Sequence, residues 1–214
     1  MFVLFDLNGT LVDSGPAHLR AAAGAFRDRG LHVDEGDLVR FLVAHDAASA
    51  GMEPDIYLDI WRRMQPLYRR EQESIAAFPG VADLLGRLPT IGLDAGIVTS
   101  KRRWAVEREL GRLGWRHGFK CVVCREDTQR HKPSPDPILH AMRQLGSQPV
   151  AYLGDAPTDI AAARAAGLPA IGAAWGWAGA QALEAAGADW VLEAPADVLP
   201  LLQQIGAGHL EAGD

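Results

Sequence analysis

The chain reads as an α/β protein: a doubly wound, Rossmann-like parallel sheet core with an inserted α-helical cap. Three observations carry that reading. Short, wholly apolar runs of strand length recur along the chain. Stretches with apolar residues at three- and four-residue spacing separate them, as amphipathic helices do. One block near the start holds helical patterns and no credible strand. With 214 residues, 48% of them hydrophobic, the chain can bury a sizeable core without disulfides or a structural metal.

The strand candidates are residues 2–5, 93–99, 121–124, 150–153, 169–172 and 190–192. None alternates cleanly with polar residues, so each suits a strand covered on both faces. Helical stretches at 81–88, 103–113, 137–145, 159–166 and 180–186 lie between them. That alternation predicts a parallel sheet with helical crossovers. Asp136-Pro137 reads as an N-cap followed by proline at the first helical position, and Gly146 and Gly167 read as helix-ending glycines. From Gly15 to Phe78 the pattern changes: 19–29, 36–45 and 54–73 read as helices. The expected division is therefore a core of residues 1–14 and 79–205, a helical cap at 15–78, and a frayed tail at 206–214. An insertion after the first strand lies next to the strand ends where open α/β sheets bind ligands, so a lid is expected.

Composition narrows the function classes. The net charge of −6 disfavours nucleic acid and acidic membrane surfaces as partners, while leaving room for a local anion site. Two cysteines cannot make a secreted disulfide scaffold, which points to a reduced, cytoplasmic setting. Cys121 and Cys124 read as buried strand residues rather than half a zinc site. The opening apolar run stops at Asp6, too short for a signal-peptide core. No stretch has the length expected of a membrane span.

The chemistry concentrates at strand ends. The first strand runs into Asp6-Leu7-Asn8-Gly9-Thr10, which places a carboxylate at the sheet edge beside a glycine turn. Other strands end in Thr99-Ser100-Lys101, in a loop with His131-Lys132-Pro133, and in Gly154-Asp155 with Asp159 four residues on. In a doubly wound sheet these ends converge on one crevice. Carboxylates, hydroxyls and lysine together suit Mg²⁺ with a phosphate.

These segments occur in a recognisable order. The chain resembles the haloacid dehalogenase-like hydrolase superfamily, in the phosphoglycolate-phosphatase-like and β-phosphoglucomutase-like branch with a helical cap. The resemblance rests on the segments around Asp6–Asp13, Thr99–Lys101, Lys132–Asp136 and Gly154–Asp159, and on Phe78-Pro79-Gly80-Val81. It implies a Mg²⁺-dependent phosphatase acting on a small phosphorylated metabolite, and it leaves the oligomeric state open. By the same resemblance Asp6 is the nucleophile and a metal ligand, and Asp155 is a metal ligand. Asp159 orients a metal-bound water or Lys132. Gly9, Thr99, the Ser100 backbone and Lys132 hold phosphate. Asn8 contributes its backbone carbonyl to the metal. His18, Arg20 and Lys101 are candidate substrate contacts, each weighed against a role as an ordinary surface residue.

One position departs from the pattern. The family carries Asp, its acid and base, where this chain has Asn8. An amide cannot exchange a proton in that role, and losing such a group costs about 10²–10⁴ in rate. Asn8 is thus an engineered replacement, a natural feature of a slow enzyme or one preferring acyl or aryl phosphates, or the mark of a phosphate-binding or regulatory module. A metal-independent 2-haloacid dehalogenase is the other enzyme class to weigh. Against it stands the metal-binding form of the Asp155 and Asp159 segment.

Overall fold

The computed structural model describes residues 1–43 and 46–211. Its contacts divide the chain into two compact units, Met1–Asp13 with Ala77–Asp214, and Ser14–Ala76.

The strands are β1 (Phe2–Phe5), β2 (Val12–Asp13), β3 (Ala76–Ala77), β4 (Asp94–Val98), β5 (Cys121–Val123), β6 (Ala151–Gly154), β7 (Ala170–Ala173) and β8 (Trp190–Leu192). Six of these form one sheet in the order β5-β4-β1-β6-β7-β8, and every pair is parallel. The order reverses between β1 and β6, so the doubly wound core expected from the apolar runs is present. The runs lack alternation because both faces are covered. Val3, Leu4 and Phe5 of β1 and all four residues of β6 are buried. Leu4 and Tyr152 join Val98, Ile138, Ile160 and Leu183 in one apolar cluster between sheet and helices.

The smaller unit holds three described helices: α1 (Gly15–Asp28), α2 (Glu35–Val43) and α3 (Pro54–Glu71). Ala21, Ala22 and Ala25 of α1 are buried, as are Ile60 and Met64 of α3. Small residues let the helices approach closely, and a Cβ on Gly24 would press on the Leu67 side chain at 2.8 Å. Phe41 of α2 closes this cluster against Phe26, Tyr57 and Trp61, with ring centroids 5.0–5.4 Å apart.

Five further helices belong to the larger unit, α4 (Val81–Arg87), α5 (Arg103–Arg112), α6 (Asp136–Leu145), α7 (Pro157–Ala165) and α8 (Gly179–Ala185), followed by α9 (Val198–Glu211). Several expectations need correction. Asp136 is the first residue of α6 and Pro135 stands in the cap position, because the Asp136 carboxylate is drawn off to Arg130 at 2.8 Å. Two-residue β3 lies inside the stretch read as strandless, and it pairs with β2 where the chain leaves and re-enters the core. Cys124 sits just beyond β5. Helix α9 continues past residue 205 to Glu211. Residues 44–45 of the expected helix and 212–214 of the expected tail lie outside the described residues.

Candidate active site

The site is built on the two strands that flank the sheet's reversal point. Asp6 follows β1 directly, and its backbone N–H donates to the Leu153 carbonyl of β6 at 2.8 Å. Asp155 follows β6. A ligand crevice forms beyond such strand ends because the chain departs to opposite faces there. Asp6, Asp155 and Asp159 are all buried, and one carboxylate oxygen from each lies within 4.8 Å of the others.

Lys132 ties this cluster together. Its Nζ lies 2.7 Å from Asp6 Oδ1 and 2.5 Å from Asp159 Oδ1, and it donates to the Tyr152 hydroxyl at 3.1 Å. Burial alone would lower the Lys132 pKa, but Asp159 and Asp6 outweigh it and hold it well above the ordinary value. Asp159 is fully engaged: Oδ1 meets Lys132 and Tyr152, and Oδ2 accepts the Ala156 N–H at 3.1 Å. Tyr152 also reaches the Val98 carbonyl at 3.0 Å. Asp155 accepts the Thr10 hydroxyl at 3.0 Å and the Trp177 N–H at 3.1 Å.

One lysine cannot neutralise three buried carboxylates. Burial pushes Asp6 up to about 6, against the Lys132 charge and with the help of Asp159. Burial, then repulsion from Asp6 and Asp159, pushes Asp155 up to about 7. A hard divalent cation would remove this conflict, and an all-oxygen donor set is what Mg²⁺ prefers. The residues therefore fit such an ion on chemistry as well as spacing.

Glycine makes the close approach possible. Gly9 has φ of +82°, and a Cβ there would overlap the Asp155 carboxylate. A Cβ on Gly176 would overlap Asp155 and the Gly9 carbonyl. The loop is closed by the Trp175 indole N–H, which donates to the Thr10 carbonyl at 3.0 Å.

Of the residues singled out from sequence, the structure brings Asp6, Lys132 and Asp159 into one bonded cluster, with Asp155 close beside it. Buried Thr99 follows β4 and is anchored by its N–H on the Val123 carbonyl at 2.9 Å, while Ser100 is exposed. Lys101 is not a surface residue. Its side chain is 8% exposed and ion-paired with buried Glu109, and its Nζ donates to Asn8 Oδ1 at 3.1 Å. His18 and Arg20 belong to the helical unit. Arg20 is held there by Glu71 and Ser74 at 2.6 and 2.7 Å, and His18 faces the Ser14 carbonyl and the Tyr68 ring. Sequence reasoning missed Thr10, Tyr152, Glu109 and Gly176 as parts of the site.

The model of the family described as haloacid dehalogenase-like hydrolase matches residues 3–173. The chain belongs to the haloacid dehalogenase-like hydrolases. It is 34% identical to a phosphoglycolate phosphatase of Synechococcus elongatus, over 95% of this chain and 97% of that one. A phosphoglycolate phosphatase of Chromobacterium violaceum is 36% identical, over 94% and 96%. Among solved structures, a hydrolase from Pseudomonas syringae superposes with a TM-score of 0.78 at 28% identity, covering 95% of this chain and 98% of that one. A haloacid dehalogenase-like family protein from Streptococcus pneumoniae reaches 0.82 at 22% identity, over 94% and 97%, and shows the shared fold. This hydrolase has, among its described residues, no helix long and apolar enough to cross a membrane.

Proposed function

We propose that this hydrolase is a Mg²⁺-dependent phosphatase that cleaves a small phosphomonoester through an aspartyl-phosphate on Asp6, with turnover limited by Asn8. The observation that carries the proposal is the buried cluster in which Lys132 bridges Asp6 and Asp159 beside Asp155. The two relatives, both phosphoglycolate phosphatases, support a small phosphorylated substrate.

Asp6 is the nucleophile. A carboxylate oxygen forms a bond to phosphorus as the ester oxygen–phosphorus bond breaks, and water then displaces the Asp6 carboxylate to release phosphate. Covalent catalysis of this kind replaces one hard displacement with two easier ones. Lys132 keeps one Asp6 oxygen oriented and meets the phosphoryl charge, and Asp159 holds Lys132 in place. The Thr99 hydroxyl and the Ser100 backbone N–H take the remaining phosphoryl oxygens; the Gly9 N–H, expected from sequence to join them, is spent on the Val12 carbonyl at 2.8 Å. Asp6, Asp155 and the Asn8 backbone carbonyl would hold the metal, with Asp159 at the edge of that set. Bound Mg²⁺ supplies charge stabilisation for the phosphoryl group. Gly9 and Gly176 keep the approach to Asp155 open.

The metal-binding arrangement of Asp155 and Asp159 beside Asp6 serves no purpose in metal-free halide displacement, which favours the phosphatase over a 2-haloacid dehalogenase. A phosphate-release screen across small phosphate esters, with Mg²⁺ or EDTA, tests the reading. Phosphate release that needs Mg²⁺ and is lost in Asp6→Asn is expected. EDTA-insensitive chloride release from chloroacetate, with no phosphate release from any ester, would overturn it.

A further inference from the structure

Breaking a phosphate ester leaves an oxygen with an extra electron pair. An alkoxide is about as basic as hydroxide, whose parent water has a pKa of about 15.7, so it departs well only if it is handed a proton. A carboxylate or a phenolate, with parent acids near about 4 and 10, departs as a stable anion. The substrate class therefore depends on whether the site has a proton to give.

Among the described core residues bonded into this site, the protons are committed elsewhere. Lys132 directs its N–H groups to Asp6, Asp159 and the Tyr152 hydroxyl. The Tyr152 hydroxyl lies against the Val98 carbonyl and Asp159. Thr10 donates to Asp155. Lys101 is locked between Glu109 and Asn8.

Asn8 is fixed by the same contact. An ammonium group only donates, so the amide atom facing Lys101 Nζ is the oxygen. The Asn8 NH₂ group is therefore turned away from Lys101, and it makes no hydrogen bond to a described residue. It can donate a hydrogen bond to a substrate oxygen, but it cannot release a proton.

We infer that this site takes phosphoryl compounds whose leaving group departs without a proton, acyl and aryl phosphates, ahead of alkyl phosphate esters. The inference rests on the phosphatase reading above. In the first step the Asp6 oxygen–phosphorus bond forms, and the electron pair of the broken bond leaves on a carboxylate or phenolate. In the second step the leaving group is the Asp6 carboxylate itself, which again needs no proton. The proton of the attacking water passes to a phosphoryl oxygen or to solvent. Both steps balance with the groups present, whereas an alkyl ester must draw its proton from water. The two phosphoglycolate phosphatases carry in their names an alkyl ester, so this chain departs from them in leaving group.

The test is phosphate release from acetyl phosphate, a series of substituted phenyl phosphates and 2-phosphoglycolate, with Mg²⁺, for the native chain and Asn8→Asp. The native chain should show kcat/KM rising steeply as the leaving group becomes more acidic. Asn8→Asp should raise kcat/KM for 2-phosphoglycolate at least about ten-fold and change that for acetyl phosphate by less than about three-fold, because kcat/KM reports the first step, before the shared water attack, and an acid contributes there only where a proton is needed. An equal gain on every substrate, or no gain on 2-phosphoglycolate, overturns the inference and leaves the phosphatase reading standing. If Asn8→Asp does not fold, a flat leaving-group dependence in the native chain overturns it alone. Absence of phosphate release from all of them in both proteins overturns the phosphatase reading, and this inference with it.

Discussion

Replacing Lys132 with Met removes the charge that holds the buried cluster together. The Lys132, Asp6 and Asp159 side chains are 6%, 9% and 2% exposed, so water cannot take over the lost contacts. Methionine keeps most of the volume, which limits the cavity term. What remains is the cost of two buried carboxylates without their partner, about 3–5 kcal/mol. At an m-value of about 3 kcal/mol/M, that loss lowers the urea midpoint by about 1–2 M. The measurement is urea unfolding in EDTA, followed by far-UV circular dichroism, with Arg130→Ala as the comparison. Arg130 makes two hydrogen bonds of 2.8 Å to Asp136 in the same unit, but its side chain is 74% exposed. Its loss should leave the midpoint within error. The pH dependence has a definite sign. Removing Lys132 raises the folded-state pKa of Asp6 further above its unfolded value. Raised carboxylates favour folding while protonated and lose that advantage as pH rises. The deficit of Lys132→Met should therefore be smaller at pH 5 than at pH 8. Equal midpoints for the two variants, or a deficit that grows on acidification, would refute the reasoning.

Cation binding should show the same linkage. Asp6 and Asp155, held near about 6 and about 7, favour the apo fold at acid pH and lose that as pH rises through those values, while a cation needs both ionised. The thermal shift produced by Mg²⁺ should be larger at pH 8 than at pH 5.5, and an equal shift at both would count against binding at these carboxylates. Burial pushes Cys121 and Cys124 up to about 11, so at pH 8 only about one thiol in a thousand is ionised. Iodoacetamide should label them about a hundred-fold more slowly in the folded chain than in urea, and comparable rates would show the thiols to be open.

The core strands were legible because a strand covered on both faces leaves an unbroken apolar run, and each such run of the core became a strand. Asp6 and Asp155 were legible because each directly follows a strand, and Lys132 and Asp159 because each lies in a short recognisable segment after one. The misses have physical reasons. Strands β2 and β3 are two residues long, too short to carry a period. Tyr152 sits in an apolar run and reads as core, although its hydroxyl touches Lys132 and Asp159. Gly176 matters only through its distance to Asp155, which no local pattern encodes. Glu109 did leave a signal. It shares the buried face of α5 with Ala105, Val106 and Leu110. A carboxylate on the apolar stripe of a helix needs a partner, and Lys101 is that partner.

Glu109 also bears on what Asn8 does here. The buried network contains four carboxylates, Asp6, Asp155, Asp159 and Glu109, against the ammonium groups of Lys132 and Lys101. With all of them ionised, two negative charges remain, which one divalent cation balances. A carboxylate at position 8 would add a further negative charge beside Lys101 and set two carboxylates competing for one ammonium group. The neutral amide avoids that competition: Glu109 takes the ion pair and Asn8 accepts the remaining hydrogen bond. Substituting Asn8 therefore changes two things at once, the supply of a proton and the charge of the site. They separate by substrate. The added charge acts on every phosphoryl compound through cation and phosphate binding, whereas the added proton acts only where the leaving group requires one. That is why acyl and alkyl phosphates must be compared in the same pair of proteins.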